Sequence, residues 1–466
     1  MDQTIATHPY LQGNYAPVPE SGEIVLAVAG DMPRDLAGSL YRNGPNPQFP
    51  PRDPNHHWFL GDGMVHGFHI ADGVVRYLNR WVRTPRWTAE HAAGRSLFGA
   101  WGNPMTSDPL ARGVDAGVAN TAMVWHAGRL LALEEGHRPF AIDPETLGPR
   151  GYEDYAGRLG PKFTAHPKVD PETGAMVFFA YANGGPLSPE MAYGVVDAAG
   201  TLVRYDRFTA PYCSMVHDFM VTRDHVMFPV LPLTGSMERA MGGLPAFAWD
   251  PDQGARIGLM RRDAPVSALR WFTVPPCYVF HVMNAWDDGG QVIADVMRYD
   301  AAPLFPLPDG RPGRDVPARL VRWTFDLAGS TDTVRETPLD DAAAEFPRID
   351  DRFAGLPYRH GFFAWSSRAA APGVLDGISH IDHATGRVLR HVLPAGDAIS
   401  EPVFVPRRPD AAEGDGWLLA VAWRGAENRS DLMIYDTADI VGGPVAIAAL
   451  PVRVPFGFHG AWRPAA

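Results

Sequence analysis

From residue 24 to its C-terminus the chain is a succession of short β-branched or aromatic runs, each bounded by an Asp/Gly-rich turn. Asp72-Gly73 precedes Val74-Val75-Arg76-Tyr77, and Asp170-Pro171-Glu172-Thr173-Gly174 precedes the run at 176–181. Asp287-Asp288-Gly289-Gly290, Asp382-His383-Ala384-Thr385-Gly386 and Glu413-Gly414-Asp415-Gly416 introduce the runs at 292–296, 388–392 and 417–423. Glycine reaches the positive φ that hairpin turns demand, and the flanking residues suit extended backbone. With 48 glycines and 45 prolines among 466 residues, the chain turns too often for long helices. No linker, charge run or low-complexity break interrupts the pattern, which predicts one all-β domain over residues 1–466. Hairpins over such a length point to a β-propeller, whose ring of sheets protects the strand edges. No strict repeat is present, so the blade number is not legible. Residues 1–23 read as an N-terminal extension. Residues 87–120, where strand patterning lapses, read as an insertion of loop and helix.

Charge and composition remove several functions. The 53 acidic residues outnumber 41 basic ones, a net charge of −12, which argues against nucleic acid as a partner. Only two lysines occur, Lys162 and Lys168, so Schiff-base chemistry has few candidates. Cys213 and Cys277 make neither a disulfide framework nor a thiolate metal cage, and a reducing cytoplasm fits. Residues 1–20 show no secretory signal. The longest apolar runs, at 226–233, 417–423 and 441–452, are too short for a membrane-spanning helix of about 20 residues.

Of the 17 histidines, His8, His91, His126, His137 and His225 lie in polar or turn-like contexts. Four others sit in or beside apolar strand-like segments: His166, His217, His281 and His459. They are 51, 64 and 178 residues apart, about one, one and three blades if a blade takes roughly 60 residues. Inner propeller strands converge on the axis, so the four can meet there. Any one of them reads as an ordinary core imidazole. Burying all four requires four partners. Imidazole suits Fe, Zn, Cu and Ni. Four neutral ligands leave a 2+ charge uncompensated, and carboxylates hydrogen-bonded to the rings can balance it. Glu135, Glu345 and Glu401, each in an apolar context, are the candidates.

The residues then form a recognisable pattern. Tyr41-Arg42-Asn43-Gly44-Pro45, Gly61-Asp62-Gly63-Met64, Ala165-His166-Pro167-Lys168, Met215-Val216-His217-Asp218-Phe219, Phe280-His281-Val282, Glu345-Phe346-Pro347, Ser400-Glu401-Pro402 and His459-Gly460-Ala461-Trp462 occur in order from 41 to 462. The chain resembles the carotenoid cleavage oxygenases, non-haem iron enzymes that split a conjugated double bond with O₂. The resemblance implies a seven-bladed β-propeller with a dome of loops and short helices over an Fe(II) site. It implies His166, His217, His281 and His459 as the iron ligands, with no catalytic residue beyond them. It pairs Glu135, Glu345 and Glu401 with His217, His281 and His459, and leaves His166 without a carboxylate. Thr121 matches a residue that crowds one coordination position.

Ala93–Ala100 and Asn103–Thr106 are similar to the bacterial lignostilbene and isoeugenol branch. Two positions depart from it: Trp101 and Glu134 stand where that branch sets a Tyr and a Lys on the substrate's phenol oxygen. Phe59, Trp101, Tyr278 and Phe305 are implied as flat surfaces for a conjugated substrate, with Thr121 and Glu134 also facing it. The expected reaction is O₂-dependent cleavage of an aryl-alkene, a stilbene or phenylpropenoid, to two carbonyl products. Apocarotenoid cleavage is the alternative, and a non-oxidative isomerase on the same fold a further one. The expected partners are a small hydrophobic alkene and O₂, in a cytoplasmic monomer or homodimer.

Overall fold

The computed structural model describes residues 8–54, 56–101, 103–371 and 373–465. Its strands form seven antiparallel sheets of four to six strands and one two-stranded hairpin, the arrangement of a seven-bladed β-propeller. The chain falls into two compact units, residues 1–154 with 376–378 and 390–466, and residues 155–375 with 379–389.

Three sheets make the first unit. One orders Ser21–Val25, Val74–Trp81, Gly63–Ala71, Gly38–Pro45 and Gly460–Pro464. A second runs through Ala122–His126, Arg129–Leu133, Phe140–Ile142 and Pro149–Tyr152. The third orders Ala27–Gly30, Pro444–Ala449, Arg429–Asp436, Gly416–Arg424 and Ala398–Ile399, with Val403–Pro406 also on Gly416–Arg424. Strands from the start of the chain thus pair twice with strands from its end: Ala27 opposes Ala449 and Arg42 opposes Gly460. Phe68, Tyr77, Leu419, Leu432 and Ile434, all fully buried, fill the core beneath this closure. The extension joins the sheet from Ser21, slightly earlier than composition suggests. Before it, the amide of Phe456 donates to the Asn14 carbonyl at 2.7 Å.

The second unit carries the remaining sheets, beginning at Lys168–Val169, Met220–Val221, Tyr278–Asp288 and Ala344–Ile349. Its core is aromatic, with Phe178, Phe179, Phe219 and Phe228 fully buried.

The turns explain the registers. Asp72 and Gly73 have φ of 51° and 79° between the paired residues Ala71 and Val74. Gly289 and Gly290 have φ of 53° and 98° between Asp288 and Gln291. Two successive positive φ angles define the hairpin turn whose twist matches the strands. In the inserted segment, Thr84 caps the helix Pro85–Ala93 through its hydroxyl, Pro85 opens it, and Gly94 at φ 66° ends it. No helix among the described residues is long and apolar enough to cross a membrane.

The closure should carry much of the stability. Leu419→Ala in its core should cost about 2–5 kcal/mol, the range for an unrelaxed large-to-small change. Urea unfolding should show a lower midpoint at an unchanged slope.

Candidate metal centre

Three of the histidines belong to the second unit. His166 lies on the loop before Lys168–Val169, His217 on the loop before Met220–Val221, and only His281 within a strand. His217 Nε2 is 3.0 Å from His166 Nε2 and 3.3 Å from His281 Nε2. His459, in the first unit, immediately precedes the strand Gly460–Pro464. One nitrogen from each of the four rings lies within 4.8 Å of the others. His217, His281 and His459 are buried and His166 partly so.

Carboxylates fix two of the rings. The Nδ1 of His281 faces Glu345 Oε2, and His459 Nδ1 lies 2.9 Å from Glu401 Oε1. An ionised carboxylate only accepts, so the ring donates from Nδ1 and keeps its lone pair on Nε2. Burial alone would raise the Glu345 carboxyl. His281, the Phe346 amide and the Tyr299 hydroxyl (2.9 Å) outweigh it and hold the group below its ordinary range. Glu401 Oε2 accepts from the Gly460 amide at 2.8 Å. Burial pushes the Arg42 guanidinium down to about 10, with the charge of Glu401 opposing that shift.

The backbone is bent where it presents these groups. The register of Tyr278–Asp288 against Gln291–Tyr299 shifts on both sides of Val282, a bulge that re-aims His281. The strand of Glu345 also shifts register against His360–Trp365, between Glu345 and Arg348, and Phe346 takes φ 54°. Gly457, two residues before His459, passes so close to Asn43 and Gly44 that a Cβ would meet the Asn43 carbonyl at 2.8 Å.

The donor set suits a metal ion. Three ring nitrogens 3.0–3.3 Å apart, that of His281 carrying its lone pair inward, are spaced as ligands around one cation. A metal–nitrogen bond of about 2.1 Å puts adjacent ligands about 3 Å apart. Four nitrogens and no thiolate favour a first-row transition metal such as iron, zinc, copper or nickel.

The remaining expected residues are placed as follows. Thr121 accepts from the His459 amide through its carbonyl at 3.1 Å, and its hydroxyl donates to Asn120 Oδ1 at 3.0 Å. Phe59 packs edge-on to Phe458 with ring centres 5.5 Å apart, and Trp101 lies 6.2 Å from Phe59. The Tyr278 hydroxyl donates to the Met215 carbonyl at 3.2 Å, and its ring meets Phe280 edge-on. Phe305 is buried in the loop after Gln291–Tyr299. Glu135 is partly buried, two residues past Arg129–Leu133.

Glu134 is engaged within the protein. Its Oε1 accepts from the Val118 and Ala119 amides at 2.7 and 3.2 Å and lies 3.1 Å from His137 Nδ1. It therefore holds the turn that leads into Thr121. Sequence reasoning missed Tyr299, Phe280, Phe346 and Phe458. The three phenylalanines adjoin a histidine or glutamate of the set, which was a usable signal. Tyr299 reaches Glu345 by strand register, which one sequence does not display.

The whole chain has close relatives. The family described as retinal pigment epithelial membrane protein matches residues 15–464. An isoeugenol monooxygenase of Pseudomonas nitroreducens is 41% identical over 472 residues, covering 98% of each chain. The crystal structure of a Pseudomonas brassicacearum lignostilbene dioxygenase superposes with a TM-score of 0.95 at 36% identity, covering 98% of this chain and 99% of that one. A variant of the Synechocystis apocarotenoid oxygenase follows at 0.86 and 29% identity, covering 97% and 98%.

Two substitutions check this geometry. Gly457→Ala forces backbone apart beside His459 and should cost about 1–3 kcal/mol. It should also lower the bound metal per chain, read by elemental analysis beside a melting curve. Glu134→Ala strips two amides of their acceptor and should destabilise the fold by a similar ~1–3 kcal/mol. Denaturant unfolding measures it.

Proposed function

The chain belongs to the family of the retinal pigment epithelial membrane protein and the carotenoid cleavage oxygenases, and we propose that it is an iron(II) dioxygenase cleaving the side-chain double bond of an aryl-alkene, such as a stilbene or phenylpropenoid. The four convergent imidazole nitrogens carry this reading. Full-length similarity to isoeugenol and lignostilbene oxygenases supports the substrate class.

The reaction is R–CH=CH–R′ + O₂ → R–CHO + R′–CHO. The C=C and O=O bonds break, two C=O bonds form, and every hydrogen stays on its carbon. No proton moves, so the chain needs no general acid, base or nucleophile. Bound at the four histidines, iron would supply the one-electron reactivity toward O₂ that a closed-shell alkene lacks. The protein's own work is then to hold the site rigid and dry. Glu345 and Glu401 orient His281 and His459, and we assign Glu135 to His217. Phe280 and Phe346, both packed about the His281 ring, offer flat faces to a planar substrate. We assign Thr121, whose carbonyl accepts from the His459 amide, to crowding one position of the metal that the histidines would hold.

The apocarotenoid alternative has its own support in the likeness to the Synechocystis apocarotenoid oxygenase. The test separates the readings. Iron-loaded protein is mixed anaerobically with isoeugenol, a hydroxystilbene and an apocarotenal, and ¹⁸O₂ is admitted. The expected products are aldehydes from the aryl-alkenes, each bearing one ¹⁸O. His217→Ala should lose turnover and most bound iron. Faster cleavage of the apocarotenal would move the enzyme to that substrate class. Product formed without O₂ uptake would make it an isomerase.

A further inference from the structure

One carboxylate ties together the segments that carry three of the histidines. Asp218, next to His217, has a side chain only 2% exposed. Its Oδ1 accepts from its neighbour Phe219's amide at 2.7 Å and from Lys168 Nζ at 2.7 Å. Its Oδ2 accepts from the amide of Val282 at 2.8 Å. Lys168 stands two residues after His166, and Val282 directly after His281. The Val282 bond falls where the strand register is broken on both sides.

From this geometry we infer that Lys168 and Asp218 are positioning residues, a clamp that sets the spacing of His166, His217 and His281. All three contacts to Asp218 come from donors, so the group must be a carboxylate. An asparagine would turn an NH₂ toward one of them. A buried carboxylate is costly without a counter-charge, and Lys168 supplies it at hydrogen-bond distance. The clamp therefore fixes three backbone segments while adding no net charge beside the metal. The inference rests on the reading that the four histidines hold a metal.

The test uses full-length protein stripped of metal and titrated with Co²⁺, whose visible absorption reports ligand geometry. Wild type should bind and show the spectrum, and His217→Ala should lose it. Lys168→Met and Asp218→Asn should each weaken Co²⁺ binding about 10–100-fold, the scale for groups that orient metal ligands, and shift the absorption. Lys168→Arg, which keeps the charge, should weaken binding less than Lys168→Met. Leu419→Ala, destabilised elsewhere, should keep the wild-type spectrum, which a purely structural role for the clamp would not predict. If Lys168→Met does not fold, Asp218→Glu decides, because it keeps the charge but lengthens the clamp by one methylene and should shift the absorption. Wild-type affinity and spectrum in the folded Lys168→Met or Asp218→Glu protein would overturn the clamp and leave the metal reading standing. A wild type that takes up no Co²⁺ would overturn both.

Discussion

The Nδ1 hydrogens of His281 and His459 point at Glu345 and Glu401, and the geometry of the centre follows from that. A neutral imidazole has one donor and one acceptor nitrogen, so occupying the donor outward leaves the lone pair inward. The inward lone pair of His281 lies 3.3 Å from His217 Nε2, the spacing of two ligands on one cation. The site is thus arranged for an ion before any ion binds. The rest of the scaffold has to hold the rings at that spacing.

The fold does so with local departures from regular structure. Regular strands alternate their side chains and would send adjacent residues to opposite faces. The shifts around Val282 and after Glu345, with Phe346 at positive φ, break that alternation where His281 and its glutamate must meet. A positive φ at phenylalanine costs on the order of 1–3 kcal/mol. The bonds from Phe346 to Glu345, and from Tyr299 to the same carboxylate, offset it.

Much of this was legible in the residues. Asp72-Gly73 and Asp287-Asp288-Gly289-Gly290 announce hairpins because few other pairs tolerate two positive φ angles. The histidine segments and Glu345 and Glu401 stand out because charge and imidazole are rare inside apolar runs. The rest depended on register. Tyr299 reaches Glu345 only because it opposes Tyr278 across the sheet, and Asp218 reaches Val282 across 64 residues. Glu134 also accepts from two amides of the turn before Thr121 with one oxygen, a contact the sequence does not display. Such contacts are made between elements, and a single sequence records only their ends.

Charge gives the last constraint. Four neutral imidazoles contribute nothing, and Glu345, Glu401 and the assigned Glu135 already bring enough negative charge to balance a divalent ion. An uncompensated Asp218 next to His217 would add negative charge that the ion does not need. Asp218 is such a carboxylate, fully buried, and Lys168 cancels it at 2.7 Å. Neutralising it with a distant surface residue would leave a buried charge poorly compensated, since attraction weakens with separation. The protein has only two lysines, and one stands here, two residues from a histidine of the set. An ammonium on a flexible stem reaches the buried oxygen as a compact charge while keeping part of its length in water. The same pairing that fixes the distances among His166, His217 and His281 adds no net charge to the centre.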